Sequence, residues 1–387
     1  MVFDYKISDF MVTEESNFNR FTSKKMIKAA TFPGRYIQGP GAILRVNKEI
    51  KRYGSKATII ASPRIHSNLI PNIHDELSAG IELQIEKFNG ECCDKEIDRL
   101  SIISKEFNSN IIVGIGGGKT LDTAKAVASK IGLPVIIAPS LASSDAPCSA
   151  SSVIYTEAGE FQRYLFFDNN PNVIIVDTEI ISKAPARFLS AGMGDALATY
   201  FEAESCKQSY APNMTGDIGP MTSFFLAELC LNTLIENGYL ALKACEANVS
   251  TPALEKVVEA NTLLSGLGFE SGGLAAAHAI HNGLTVLPET HDYLHGEKVA
   301  FGTLASLILT GKSKDVIYKM FKFCESVNLP TTFEGIGLKN VNDSDLMKVA
   351  KATCSEGETV FNEPFPVTPE LVFSALKAAN SFGLSNL

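Results

Sequence analysis

The sequence predicts an α/β domain with a parallel sheet over residues 31–185, followed by an all-α domain over residues 186–387, and three observations carry this. In the first half, short apolar runs without polar alternation are separated by helical stretches, the pattern of strands buried on both faces beneath helices. One of those runs, Ile111 to Val113, breaks straight into glycines at 114, 116, 117 and 118, and helical spacing resumes from Leu121 to Val127. After Ala184–Pro185 strand signals almost vanish and one amphipathic segment follows another, so the join is a short turn near residue 185.

Taken in order, Lys56 to Ala61 (KATIIA) reads as a strand, Ser67 to Leu77 as a helix, Ile81 to Lys87 as a strand and Asp94 to Phe107 as a helix. The Ile111 strand and its glycines come next, then strands at Pro134 to Ala138 and Asn172 to Val176. Glycine removes Cβ where a backbone must turn sharply or approach a ligand closely. A turn that opens a helix gathers free N–H groups and the positive end of the helix dipole, which makes it an anion site. The dinucleotide pattern G-x-G-x-x-G fails here because Lys119 stands at its third glycine. The triphosphate loop G-x-x-x-x-G-K-[ST] fails because Val113 stands at its first. Ligands of parallel sheets sit beyond the carboxyl ends of the strands. The hydroxyl-rich loop Pro139 to Ser151 (PSLASSDAPCSAS) lies at such an end beside the glycine turn. In the second half the helical segments include Phe224 to Ile235, Pro252 to Leu267, Gly296 to Leu309 and Pro369 to Phe382. The last opens on Thr368 as N-cap with proline at the first helical position.

Composition narrows the class. The chain has 387 residues, 45% of them hydrophobic, enough for a large core and two domains. Its apolar runs are far shorter than the ~20 residues a membrane span needs. A net charge of −9 without a basic, aromatic-interleaved cluster argues against nucleic acid and for small molecules as partners. The eight cysteines, without a C-x-x-C pair, read as reduced thiols of an intracellular protein, and the adjacent Cys92 and Cys93 lack partner ligands at zinc-finger spacing. Residues 1–30 form a leader without a secretory core, read as disordered. A cytoplasmic location is expected, and a mitochondrial address is left open by the basic residues of the leader.

Four of the six histidines fall in one window: His278, His281, His291 and His295. His278 and His281, three apart in an alanine-rich helix, share a face, and His295 opens the next helix. Asp195, between a glycine pair and small apolar residues, is the candidate carboxylate, because a buried unpaired charge there is costly. A helix-capping role is its alternative. Two imidazoles and a carboxylate around an open position make a catalytic zinc arrangement, with iron(II) chemically admissible. The zincin signature H-E-x-x-H is absent, and His291 reads as a surface residue.

Five blocks, GIGGGKTLDTAK, ASSDAPCSASSVIYTE, AGMGDALATYFEA, GGLAAAHAIHNG and LHGEKVAFG, spanning Gly114 to Gly302, resemble the metal-dependent, iron-containing alcohol dehydrogenases. Weaker similarity runs from Phe32–Pro33 to the Thr368–Pro369 helix. The resemblance implies a nucleotide-binding α/β domain, a helical metal domain with a cleft between them, and the architecture of dehydroquinate synthase. It implies Asp195, His278 and His295 as metal ligands and Asp145 as the substrate-contacting aspartate. Cofactor contacts are implied at Gly118, Lys119, Ser140, Ser143, Ser149, Ser151 and Tyr155, beside Gly116 and Gly117 of the turn. His281, close to the metal on its helix, is assigned a proton relay.

Two departures matter. Thr199 stands where many iron-using relatives carry a further histidine, and three protein ligands favour zinc, as in the glycerol-oxidising branch. The stretch Ala61–Ser62–Pro63–Arg64 lacks the acidic residue that the branch often places for the adenosine ribose, which leaves NAD against NADP open. The expected activity is NAD-linked, zinc-dependent oxidation of glycerol to dihydroxyacetone by a homo-oligomer. The rivals are a P-loop-type nucleotide triphosphatase built on Gly118-Lys119-Thr120 and a non-catalytic NAD-binding sensor.

Overall fold

Six strands run parallel in one sheet, in the order β1 (Tyr36–Gly39), β8 (Val173–Asp177), β5 (Val135–Pro139), β4 (Ile111–Gly116), β2 (Lys56–Ala61) and β3 (Glu82–Lys87). The computed structural model describes residues 26–385. Register aligns the strand ends. Ala61 lies beside Ile115, Ile115 beside Ala138 and Gly116 beside Pro139, so the loops after β2, β4 and β5 share one rim. Alternation sorts the strand residues between two cores. Ile60, Ile112, Ile137 and Ile174 join a cluster continuous with the helical half, whereas Ile59, Ile111, Val113 and Ile136 face the helices on the other side. The remaining strands, β6 (Ser151–Tyr155) and β7 (Phe161–Phe166), form an antiparallel hairpin of their own.

Elements read from the sequence reappear with ends shifted by a few residues. The strand expected at Ile81 to Lys87 is β3, and the helix expected at Asp94 to Phe107 spans Asp94–Glu106. Phe224 to Ile235 lies within the N-terminal part of a longer helix, Met221–Glu246. The stretch Pro252 to Leu267 is helix Pro252–Glu259, a π-helical turn Ala260–Leu264 and helix Ser265–Gly272. Thr368 caps helix Pro369–Leu384 by accepting the Leu371 N–H.

The expected leader lies outside the described residues up to position 25. Its last residues are described and are held: Ile27 and Ala29 exchange backbone hydrogen bonds with Ile218, both 3.1 Å, and just after it the Thr31 N–H donates to Ser271 Oγ at 3.1 Å. Residues 27–31 therefore lie along the helical half. Among the described residues no helix is long and apolar enough to cross a membrane. All eight cysteines are free thiols, seven of them buried.

Candidate active site

The glycine turn owes its shape to close packing rather than to left-handed backbone. None of Gly114, Gly116, Gly117 and Gly118 has a positive φ. A Cβ on Gly114 would stand 2.6 Å from Ala124 Cβ, and one on Gly116 would stand 2.9 Å from both Thr120 Cβ and Ser62 Cβ. These two glycines let helix Gly118–Ile131 sit down on β4. By contrast a Cβ on Gly118 meets nothing within 4 Å, so that position borders open space.

Asp195 is fully buried on the long helix Ala186–Ser209. Its glycine neighbours explain how it comes to face a site. A Cβ on Gly192 would collide with the Ala142 carbonyl of the loop after β5, and one on Gly194 with the Gly296 carbonyl of helix His295–Leu309. The motif GMGD thus brings one helix into backbone contact with two other elements and leaves Asp195 between them. Its Oδ1 lies 3.3 Å from His278 Nε2 and 3.1 Å from His295 Nε2, and one donor atom from each of the three side chains lies within 4.8 Å of the others. Burial pulls the Asp195 carboxyl upward, but His295 and His278 outweigh it and hold the group far below the usual carboxylate range.

The donor set fits a metal. One carboxylate oxygen and two imidazole nitrogens from three elements converge, and among the described residues no further His, Cys, Asp or Glu joins the set. Three such ligands with an open position suit catalytic zinc, and iron(II) is compatible with the same donors.

Each imidazole is held from behind. His278 Nδ1–H donates to Glu202 Oε2 at 2.6 Å, and Glu202 Oε1 accepts the backbone N–H groups of Ala275 and His278, each at 2.9 Å. Burial would depress the His278 pKa, but the Glu202 and Asp195 carboxylates together raise it well above the ordinary value. His295 Nδ1 lies 3.0 Å from His281 Nε2, whose own Nδ1 meets Asn282 Oδ1 at 3.1 Å. Burial, then His295 and Lys298, push His281 well below the ordinary histidine range. His281 therefore stands beside the cluster, in contact with a candidate ligand, while His291 is on the surface, bonded to the Thr285 carbonyl.

Asp145, just before the short 3₁₀ turn Ala146–Cys148 in the loop after β5, meets the same centre. Its N–H donates to Asp195 Oδ2 at 3.2 Å, and its Oδ2 accepts the Ser265 hydroxyl at 2.7 Å. Burial, and next the Asp195 charge, push its carboxyl well up. Ser265 Oγ is also 2.8 Å from Thr199 Oγ1. The π-helical turn just before Ser265 turns Asn261 so that its Nδ2 donates to the carbonyls of Ala142, at 3.0 Å, and Leu189. Glu202, Ser265 and Asn261 were not singled out from the sequence. For Glu202 a signal existed: it lies seven residues after Asp195 on one helix, hence on the same face.

A cleft of about 860 Å³ opens along the strand ends, bordered by Gly117, Gly118, Lys119 and Ser140 among the expected cofactor residues, and also by Ser62 and Arg64. Gly116, Ser143, Ser149, Ser151 and Tyr155 are not in its wall. Lys119 Nζ pairs with Glu91 at 2.6 Å and lies 4.6 Å from the Tyr155 ring centre. Ser149 and Ser151 surround the buried ammonium of Lys125, which pairs with Asp122 at 3.0 Å and donates to the Ala146 carbonyl.

Comparison with known proteins places the whole chain. Residues 33–178 match the family model for iron-containing alcohol dehydrogenase. The chain is 60% identical to the glycerol dehydrogenase of Thermotoga maritima over 92% of its own length and 98% of that protein. It is 44% identical to the glycolaldehyde reductase of Halobacterium salinarum, over 91% of this chain and 96% of the other. Among solved structures, a probable glycerol dehydrogenase from Sinorhizobium meliloti superposes with a TM-score of 0.87 at 41% identity, covering 93% of this chain and all of that one. With identity at this level over nearly its whole length, the chain belongs to the iron-containing alcohol dehydrogenase family.

Proposed function

We propose that this protein oxidises glycerol to dihydroxyacetone with NAD as hydride acceptor, in a cleft whose metal, zinc by the donor set, is held by Asp195, His278 and His295. The observation that supports this most is the convergence of those three donors in a chain 60% identical to a glycerol dehydrogenase; neither they nor Asp145 line the cleft, whose wall comes nearest to them at Leu141 of the loop after β5 and Phe188 of the Asp195 helix. When bound, the metal supplies Lewis acidity that makes an alcohol hydroxyl easier to deprotonate.

The rest is done by the chain. Glu202 fixes the His278 ring with Nδ1 protonated, so that Nε2 presents its lone pair. His281 does the same for His295 when it accepts from Nδ1, and its contact supports this orienting role. Asp145, steered by Ser265, accepts a hydrogen bond from a substrate hydroxyl and disfavours an anionic substrate. Gly117 and Gly118 leave the turn bare, so backbone N–H groups at the start of helix Gly118–Ile131 would be free to hold a pyrophosphate.

The test is NAD reduction with glycerol, propane-1,2-diol and ethanol, before and after chelation and after zinc or iron(II) is returned. The vicinal diols should be preferred, and activity should vanish with the metal and return with it. His278→Ala and Asp195→Ala should lose both metal and turnover while still binding nucleotide. Diol-dependent reduction that survives complete metal removal would refute the assignment.

A further inference from the structure

The fold sets the direction in which a dinucleotide can lie, and this reasoning rests on the cofactor reading above. The candidate metal centre is joined to the loop after β5 through the Asp145 N–H. A nicotinamide that received hydride there would lie over that loop. The pyrophosphate would then cross the turn after β4, and the adenosine would fall over the end of β2, because the strands adjoin in the order β5, β4, β2.

At the end of β2 the Ser62 N–H is bonded to the Ile115 carbonyl, which pins Ser62 beside the glycine turn, and Pro63 and Arg64 begin the next helix. All three residues line the cleft. The Arg64 side chain is exposed, and among the described residues neither it nor the Ser62 hydroxyl has a hydrogen-bond or ion-pair partner. The cations elsewhere in the wall are engaged, Lys119 by Glu91 and Lys183 by Glu179. Among the described residues no carboxylate lines the wall at this end, and Glu91, after β3, is engaged by Lys119. Asp177 and Glu179, the acidic residues of the wall, stand at and just after the end of β8, on the far side of β5. Near β3, Glu86 and Glu96 are both taken by Arg99.

A ribose 2′-hydroxyl is selected by a carboxylate that accepts its proton and repels a phosphate, whereas an arginine at that place accommodates the 2′-phosphate. We propose that the adenosine end of this cleft accepts a 2′-phosphorylated nucleotide, NADP(H) as well as NAD(H), with Arg64 and Ser62 holding the 2′-phosphate. The guanidinium presents a planar fork that matches two phosphate oxygens, and the Ser62 hydroxyl supplies a further donor.

Isothermal titration of the full, metal-loaded chain with nucleotide fragments tests this without turnover. The probes are AMP, adenosine 2′,5′-bisphosphate and adenosine 3′,5′-bisphosphate. The 2′,5′-bisphosphate should bind about tenfold more tightly than AMP, the range of a hydrogen bond to a charged group, and the 3′,5′-isomer should lack that gain. Arg64→Ala, at an exposed site, should abolish the gain and leave AMP affinity unchanged. Ser62→Asp should invert the order. Weaker binding of the 2′,5′-bisphosphate than of AMP, equal binding of its isomer, or a gain that survives Arg64→Ala overturns the inference while leaving the cofactor reading in place. If neither AMP nor either bisphosphate binds, the nucleotide reading of the cleft fails and this inference with it.

Discussion

Glu202→Gln should separate metal affinity from folding, because the carboxylate does two jobs with two different oxygens. Oε1 accepts the N–H groups of Ala275 and His278, both at 2.9 Å, and Oε2 accepts His278 Nδ1–H at 2.6 Å. A glutamine carbonyl placed at the first position keeps both backbone bonds. Its NH2 then faces Nδ1, which can accept only if the imidazole proton moves to Nε2, the nitrogen that points at Asp195. The reverse amide orientation would set a donor against two backbone donors and orphan both, at about 1–3 kcal/mol each. The first orientation therefore wins, the helix carrying His278 stays capped, and the ligand presents the wrong tautomer. Loss of such an outer partner costs about 10–100-fold in metal affinity, or about 1.4–2.8 kcal/mol. Competition with a chromogenic chelator for zinc, beside thermal unfolding of the metal-free chain, measures both quantities. Metal affinity equal to the parent's would refute the orienting role of Glu202. A large loss of metal-free stability with unchanged zinc affinity would show that the residue serves only the helix start.

Three further perturbations address the rest of the site. Gly118→Val should fold normally, because a Cβ there meets nothing within 4 Å, yet weaken nucleotide binding by tenfold or more, read by calorimetry. Unaltered affinity would end the anion-site reading of the turn. Asp145→Asn keeps an acceptor for Ser265 but removes the charge, and should lower kcat/KM for glycerol by about 1–3 kcal/mol of transition-state binding. Zinc content and nucleotide affinity should hold, and loss of zinc would place Asp145 in another site. Burial pushes the Glu363 carboxyl from 4.5 up to about 6, against the opposing bonds from Ser205 and Ala276. A carboxyl raised in the fold stabilises below its unfolded value, and that stability is lost as pH rises through about 6, by about 2 kcal/mol. The metal-free Glu363→Gln chain should show a correspondingly shallower fall in urea midpoint between pH 4.5 and 7, and parallel profiles would refute this.

The sheet was legible because its strands carry no polar alternation: Lys56 to Ala61 and Asn172 to Val176 are apolar on both faces since both faces are covered. The elements missed are those without that signal. β1 (Tyr36–Gly39) is a four-residue edge strand, and the β6–β7 hairpin follows a serine run that reads as loop. The glycine turn was located for one reason and is built for another. Bare backbone toward the cleft describes Gly118, whereas Gly114 and Gly116 are small because Ala124 and Thr120 press on them, a demand made by helix Gly118–Ile131 and invisible in the turn itself.

Thr199 shows most plainly where sequence reading stops. Four residues after Asp195 it reads as a missing ligand, and that absence was its whole meaning. In the fold its hydroxyl is bonded to Ser265, which donates to Asp145, and Asp145 returns to the centre through its N–H on Asp195. A position next to the candidate metal site is thus taken up by a hydroxyl chain that aims the carboxyl expected to meet the substrate. A histidine there would bring a fourth donor to the centre and withdraw the partner of Ser265. The contacts that make this so join residues 66 and 120 apart in the chain. They also depend on the π-helical turn Ala260–Leu264, whose extra residue sets the phase of Ser265 and leaves no mark in a pattern of apolar spacing. Local periodicity can therefore place Asp195 and Thr199 on one helix face, but only the packing of three elements decides that one joins the candidate metal centre and the other the hydroxyl chain to Asp145.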